Sequence, residues 1–132
     1  MKGEKYLFDT HALLFWYTRE YVSKEFIRYF DRQNDSGNLF ASSISFWELA
    51  LLAKRDKVEI GNVESWRIEL LNNTNLVLWE PSASEMIQSV DLPDYHRDPF
   101  DRLLIVQANN RQAKLVSRDV NIAQYSVSVF WK

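Results

Sequence analysis

The chain has 132 residues, of which 46% are hydrophobic and 26% charged, and a net charge of −2. That length and balance point to a single domain over 1–132 with a core large enough to need no covalent staples. There are no cysteines, which excludes disulfides, thiolate zinc sites and a cysteine nucleophile, and fits a reducing cytoplasm.

In chain order, Lys5-Tyr6-Leu7-Phe8 reads as a buried strand that ends at Asp9-Thr10 and leads into a helix over His11 to Tyr17. Ser23 opens a second helix, with Phe26, Ile27 and Phe30 on its apolar side, and the polar run from Asn34 to Asn38 terminates it. Leu39-Phe40-Ala41 is a second strand. The stretch Ser43-Ile44-Ser45-Phe46-Trp47-Glu48 opens a third helix, closed by Lys54 and Arg55, where cations suit the helix dipole. Gly61 breaks the chain before an amphipathic helix over Val63 to Leu71 that carries Trp66 and Leu70. Leu76 to Trp79 is a third strand, and Pro81-Ser82 leads into a short helix through Met86, Ile87 and Val90.

After a polar loop from Asp91 to Arg97, Asp98-Pro99 starts a helix with Phe100, Leu103, Leu104 and Ala108 along its stripe. Lys114 to Ser117 is a strand ending at Arg118-Asp119, and Val127 to Trp131 a last, shorter one. Strands alternate with helices throughout, so the fold class is α/β: a Rossmann-like three-layer α/β/α sandwich around a central parallel sheet. The start of the chain is no signal peptide, because Asp9 cuts its apolar run short. Nowhere is there a run of the roughly 18 apolar residues that a membrane span requires.

Four acids stand out: Asp9, Glu48, Asp101 and Asp119. Each has a structural explanation. Asp98-Pro99-Phe100-Asp101 has an N-cap acid, proline at the first helical position and a second acid in the first turn. Ser45 to Glu48 has the spacing of a capping box, and Asp9 and Asp119 follow strands where they could cap what comes next. Their positions are jointly more telling. In a parallel α/β sheet such junctions gather along the carboxyl edge of the strands, where ligands bind. Carboxylates gathered there repel by roughly 4 kcal/mol per pair at about 4 Å, so a cluster implies a cation. Oxygen-only ligands without cysteine or clustered histidines point to Mg2+ or Mn2+. Such an ion suits phosphodiester hydrolysis by an activated water. With these four acids set aside, 16 basic groups face 14 acidic ones, so the net charge does not exclude a phosphate-rich substrate. Arg97, Arg102 and Arg118 flank the acidic segments as candidates for holding phosphates. Glycine-rich phosphate loops and a nucleophile elbow are absent. His11 and His96, the only histidines, read as hydrogen-bonding or surface residues, and Trp47, Trp66 and Trp79 as core or interface.

Four blocks in register, Phe8-Asp9-Thr10-His11-Ala12-Leu13-Leu14, Ser43 to Leu49, His96-Arg97-Asp98-Pro99-Phe100-Asp101-Arg102 and Leu115 to Asp119, resemble PIN-domain proteins, and among them the VapC-like toxins of bacterial toxin–antitoxin pairs. The resemblance implies a magnesium- or manganese-dependent endoribonuclease with Asp9, Glu48, Asp101 and Asp119 as its catalytic and metal-binding quartet. Asp98 then fits the helix cap, with a place as an outer-shell neighbour left open. Thr10, a small hydroxyl after the first acid, is implied to orient Asp9 or a metal-bound water at the substrate-binding side. The resemblance also implies an RNA substrate, a homodimer and a cognate antitoxin, with the apolar helices around Phe26 and Leu52 as possible surfaces. Two alternatives stand beside it: a non-catalytic interaction module of the same fold, and a phosphatase with Asp9 as nucleophile. Against the phosphatase, His11 occupies the position where a second acid would be expected.

Overall fold

Tyr6 and Phe8 enter one apolar cluster and Leu7, between them, enters another. A strand buried in this way on both sides needs helices over both faces of its sheet. The computed structural model describes residues 3–132 and has that architecture. The elements are β1 (Lys5–Phe8), α1 (Thr10–Thr18), α2 (Lys24–Asp35), β2 (Leu39–Ser42), α3 (Ser43–Lys54), α4 (Val63–Asn73), β3 (Val77–Trp79), α5 (Ala83–Val90), α6 (Pro99–Asn110), β4 (Ala113–Val116) and β5 (Val129–Phe130), with a 3-10 turn at Ile122–Gln124.

All pairings are parallel and the strand order is β3-β2-β1-β4-β5. Helices α1 to α4 supply Leu13, Phe30, Leu49 and Leu70 to one core, and α6 supplies Leu104, Ile105 and Ala108 to the other. Fully buried side chains such as Phe8, Phe26 and Phe30 each contribute about 1.5–3 kcal/mol. Phe26 is therefore core rather than docking surface, which removes it from the apolar surface expected around that helix. Order matters more than content for the site. The chain leaves β1 toward β2 and β3 on one side and returns to β4 and β5 on the other, so a crevice opens at the carboxyl ends of β1 and β4.

Side chains cap the helix starts. Ser23, Asn62 and Ser82 each accept a hydrogen bond from the backbone N–H three residues on, at 2.9, 2.9 and 3.1 Å. The capping box expected at Ser45–Glu48 does not form. Strand β2 runs straight into α3 without a loop, so the cap falls on Ser42 and Ser45 lies inside the helix. A complete box forms at Ser82–Glu85 instead. No described helix is long and apolar enough to cross a membrane.

Candidate metal centre

Asp9 is the last residue before α1 and is tied on both sides. Its backbone N–H donates to the Val116 carbonyl at 3.0 Å, which fixes it between β1 and β4. Its Oδ1 accepts from the Ala12 N–H at 2.8 Å. One residue on, the buried Thr10 hydroxyl donates to the Ser45 hydroxyl at 3.1 Å and so joins α1 to α3. Ser45 and Glu48 are i and i+3 on one helix face, so this link also fixes which way Glu48 points. Freed from the capping role, Glu48 leaves Oε1 buried with no hydrogen-bond partner.

The third arm is the start of α6. Asp98 caps the helix through Oδ1, which accepts from the Phe100 N–H at 2.9 Å, and Asp101 stands one turn further along the same face. Asp119, after β4, accepts the Asn121 N–H at 2.8 Å through Oδ1, and its Oδ2 lies 3.3 Å from His96 Nε2. His96 Nε2 is also 2.8 Å from Asp101 Oδ2, within ion-pair distance but out of hydrogen-bond alignment. The four expected acids, together with Asp98, His96, His11, Phe15 and Arg118, line one pocket of about 410 Å³. A larger depression of about 520 Å³, with Gly3, Lys5 and Lys114 in its walls, lies by the amino ends of β1 and β4 and brings no acid cluster together.

The electrostatics of the pocket follow from crowding. Burial pushes the Asp9 carboxyl above its ordinary range, against hydrogen bonds from Ser117 and the Ala12 N–H. Burial likewise raises Glu48, and the nearby charges of Asp98 and Asp9 add to the rise. Asp101 is pushed up to about 8, first by burial and then by the charges of Asp98, Asp9, Glu48 and Asp119. His96, Asp98 and Asp101 each offer a ligand atom, all within 4.8 Å of one another. An unpartnered Glu48 oxygen and mutually repelling carboxylates are what a hard divalent cation would satisfy, so the donor set fits one.

Three expected site residues lie elsewhere. Arg102 is only 8% exposed, and its guanidinium donates to the carbonyls of Ser89, Val90, Leu92, Pro93 and His96 at 2.8–3.1 Å. With its donors committed to the protein, it holds the loop rather than a phosphate. Thr10 is buried and Arg97 exposed, and neither lines the pocket. Arg118 does line the pocket. In the other direction, His96 enters the cluster although its type alone reads as an ordinary hydrogen-bonding side chain. The signal that could have found it was its place two residues before the capping Asp98. Of the three tryptophans, Trp66 is core, Trp79 stacks on Phe40 at 4.0 Å, and Trp47 is exposed against the edge of Phe100 at 5.1 Å.

A family model described as PIN domain matches residues 6–127. No curated protein matches the chain in sequence. Solved structures do resemble it. A toxin–antitoxin complex from Klebsiella pneumoniae superposes with a TM-score of 0.62 at 17% identity, covering 96% of this chain and 97% of that one. VapBC2 from Rickettsia felis, bound to a DNA fragment from its promoter, gives 0.67 at 14% identity, with 96% of each chain covered. FitAcB from Neisseria gonorrhoeae gives 0.60 at 17% identity, covering 95% and 96%. At such identities the likeness is one of fold.

Proposed function

The chain belongs to the PIN-domain family, and from that premise we propose that it is a divalent-metal-dependent endoribonuclease and the toxin of a toxin–antitoxin pair. The observation that carries the nuclease reading is the convergence of Asp9, Glu48, Asp101 and Asp119 at the carboxyl ends of β1 and β4, with Glu48 Oε1 unpartnered. Asp9, Glu48 and Asp101 would hold Mg2+ or Mn2+, with His96 and Asp98 beside them. When bound, such an ion neutralises a phosphoryl oxygen and lowers the pKa of an attacking water.

The chain's own residues do the positioning. Asp9 keeps one oxygen on the Ala12 N–H, which leaves the other to face the pocket in a fixed direction. Thr10 and Ser45 lock α1 against α3, so Glu48 approaches from the opposite wall without loss of register. Asp119 is partly open to solvent, and its Oδ1 is held in the turn to Asn121. It is placed to orient water or accept its proton from the solvent side. Arg118 is the cation on the rim suited to an RNA phosphate.

The toxin reading rests on the similar structures being toxin–antitoxin complexes. It adds an antitoxin that covers the acidic pocket, a cytoplasmic location and pairing of two copies. The exposed Met86, Ile87 and Val90 on α5 offer an apolar face for such pairing. The direct test is cleavage of a mixed RNA pool in Mn2+, in chelator, and by Asp9→Asn and Asp101→Asn. Cleavage should require the ion and should disappear in both variants while their circular dichroism stays unchanged. Equal cleavage in excess chelator would reject the metal mechanism.

A further inference from the structure

One wall of the pocket is aromatic rather than acidic. Phe15 and His11 line it, with ring centroids 5.8 Å apart, and Tyr21 extends the row outward, 5.3 Å from Phe15. Tyr21 is 74% exposed, and its backbone takes the left-handed conformation at φ 61°. Glycine or asparagine suits that conformation; a bulky aromatic residue strains it. Burial does not explain the tyrosine here, because most of the side chain faces water.

Arg118 connects this row to the acids. Its guanidinium lies 5.5 Å from the Phe15 ring centroid and 5.0 Å from that of Trp131, and it donates to the Tyr21 carbonyl at 3.4 Å. Among the described residues it forms no ion pair, although it stands in the wall of a pocket full of carboxylates. A guanidinium within cation–π range of two rings, with most of its N–H donors free of protein acceptors, is preorganised for an anion outside the protein.

We propose that Tyr21, backed by Phe15, is a stacking platform for one unpaired nucleobase of the RNA, and that Arg118 holds the phosphate leading from that nucleotide into the acidic pocket. The proposal rests on the ribonuclease reading and deepens it. The platform favours an unpaired base, because drawing a paired one out of a duplex costs a few kcal/mol of unstacking and unpairing. An exposed ring, a cation beside it and a phosphate-handling pocket in one row are the elements by which single-stranded nucleic acid is held. A protein segment would use the exposed ring equally well but has no need of the free guanidinium beside the acids.

Tyr21→Gly removes the ring and also relieves the backbone, so a loss of function in this variant is not a loss of folding. Tyr21→Trp keeps a stacking surface. The probe is fluorescein-labelled hexauridylate, with calcium as the ion, followed by anisotropy. Tyr21→Gly should bind about tenfold more weakly, a difference of about 1.4 kcal/mol, and Tyr21→Trp should bind like the unaltered chain. In Mn2+ the glycine variant should show a raised KM with kcat retained, and its Mn2+ affinity by calorimetry should be unchanged. Hexauridylate binding by the glycine variant within about twofold of the unaltered chain would overturn the stacking platform and leave the ribonuclease reading standing. If only the binding of a protein partner fell, the surface would read protein and the proposal would again be overturned. An unaltered chain that neither bound nor cut RNA in Mn2+ would overturn the ribonuclease reading and the platform with it.

Discussion

With four other carboxylates acting on it and little water around it, Asp101 holds its proton up to about pH 8 in the metal-free fold. Unfolded, the same group would titrate near its ordinary value of 3.8. Between these values the folded chain keeps a proton that the unfolded chain has released, so stability falls as pH rises through that window and levels off above it. The slope from this one proton is up to about 1.4 kcal/mol per pH unit. Asp9 and Glu48, also raised by burial, act in the same direction. Glu85 acts in the opposite direction because Arg111 lowers it, but that contribution is lost only in acid, as pH falls through its lowered value. Denaturation in chelator between pH 5.5 and 8.5 should therefore show declining stability, and Asp101→Asn should flatten the decline and be the more stable form at the alkaline end. A metal-free protein that gained stability over this range would contradict the crowding. The acids themselves were legible as residues, since type and position after a strand are local properties. His96 was not, because its contacts with Asp101 and Asp119 depend on where a loop comes to rest.

That loop is positioned at the scale of elements, by α6. One side of its first two turns presents Asp98 and Asp101 to the pocket, and the next residue, Arg102, turns away and gathers five carbonyls from the end of α5 and the segment that follows. Tyr125 reinforces the same segment, donating to the Pro93 carbonyl at 2.6 Å and accepting the His96 N–H at 2.8 Å. Lysine has a point charge and three donors and cannot reproduce a planar fork serving five acceptors. Arg102→Lys should cost on the order of 3 kcal/mol in urea unfolding, since buried carbonyls lose their donors. Amide exchange over residues 89–97 should rise before the rest of the chain opens. A substitution silent in both measurements would show that the loop holds itself. Strands and helices were readable from apolar runs bounded by polar residues, as in Lys5 to Phe8. Where adjoining elements meet without a loop, as at Ser42, the boundary was not readable, because Ser42, Ser43 and Ser45 are equally good caps and only the length of β2 decides among them. The role of Arg102 was hidden for a related reason: its acceptors are backbone atoms, and sequence does not place those.

At the scale of the whole molecule, strand order is what turns four separated acids into neighbours. Asp9 comes from the first crossover, Glu48 from α3 on one side of β1, and Asp101 and Asp119 from the elements that enter and leave β4 on the other. Alternation of strands and helices announced a parallel sheet, but not that β1 and β4 would be neighbours, and on that pairing the crevice depends. An ion held there would tie together segments from both halves of the chain and relieve the repulsion that Asp101 records. Because such an ion binds the folded form alone, it should stabilise by about 2.7 kcal/mol at a hundredfold excess over its dissociation constant. Urea unfolding in Mn2+ and in chelator reads this directly. The midpoint should rise in Mn2+ for the unaltered chain, and most of that rise should vanish in Glu48→Gln, which keeps the size of the side chain and loses its charge. The same variant in chelator should be at least as stable as its parent, because one member of a repelling set has been neutralised. If Glu48→Gln instead lost stability without metal and kept the full response to Mn2+, Glu48 would be a structural residue of α3 and the ion would have to be held without it.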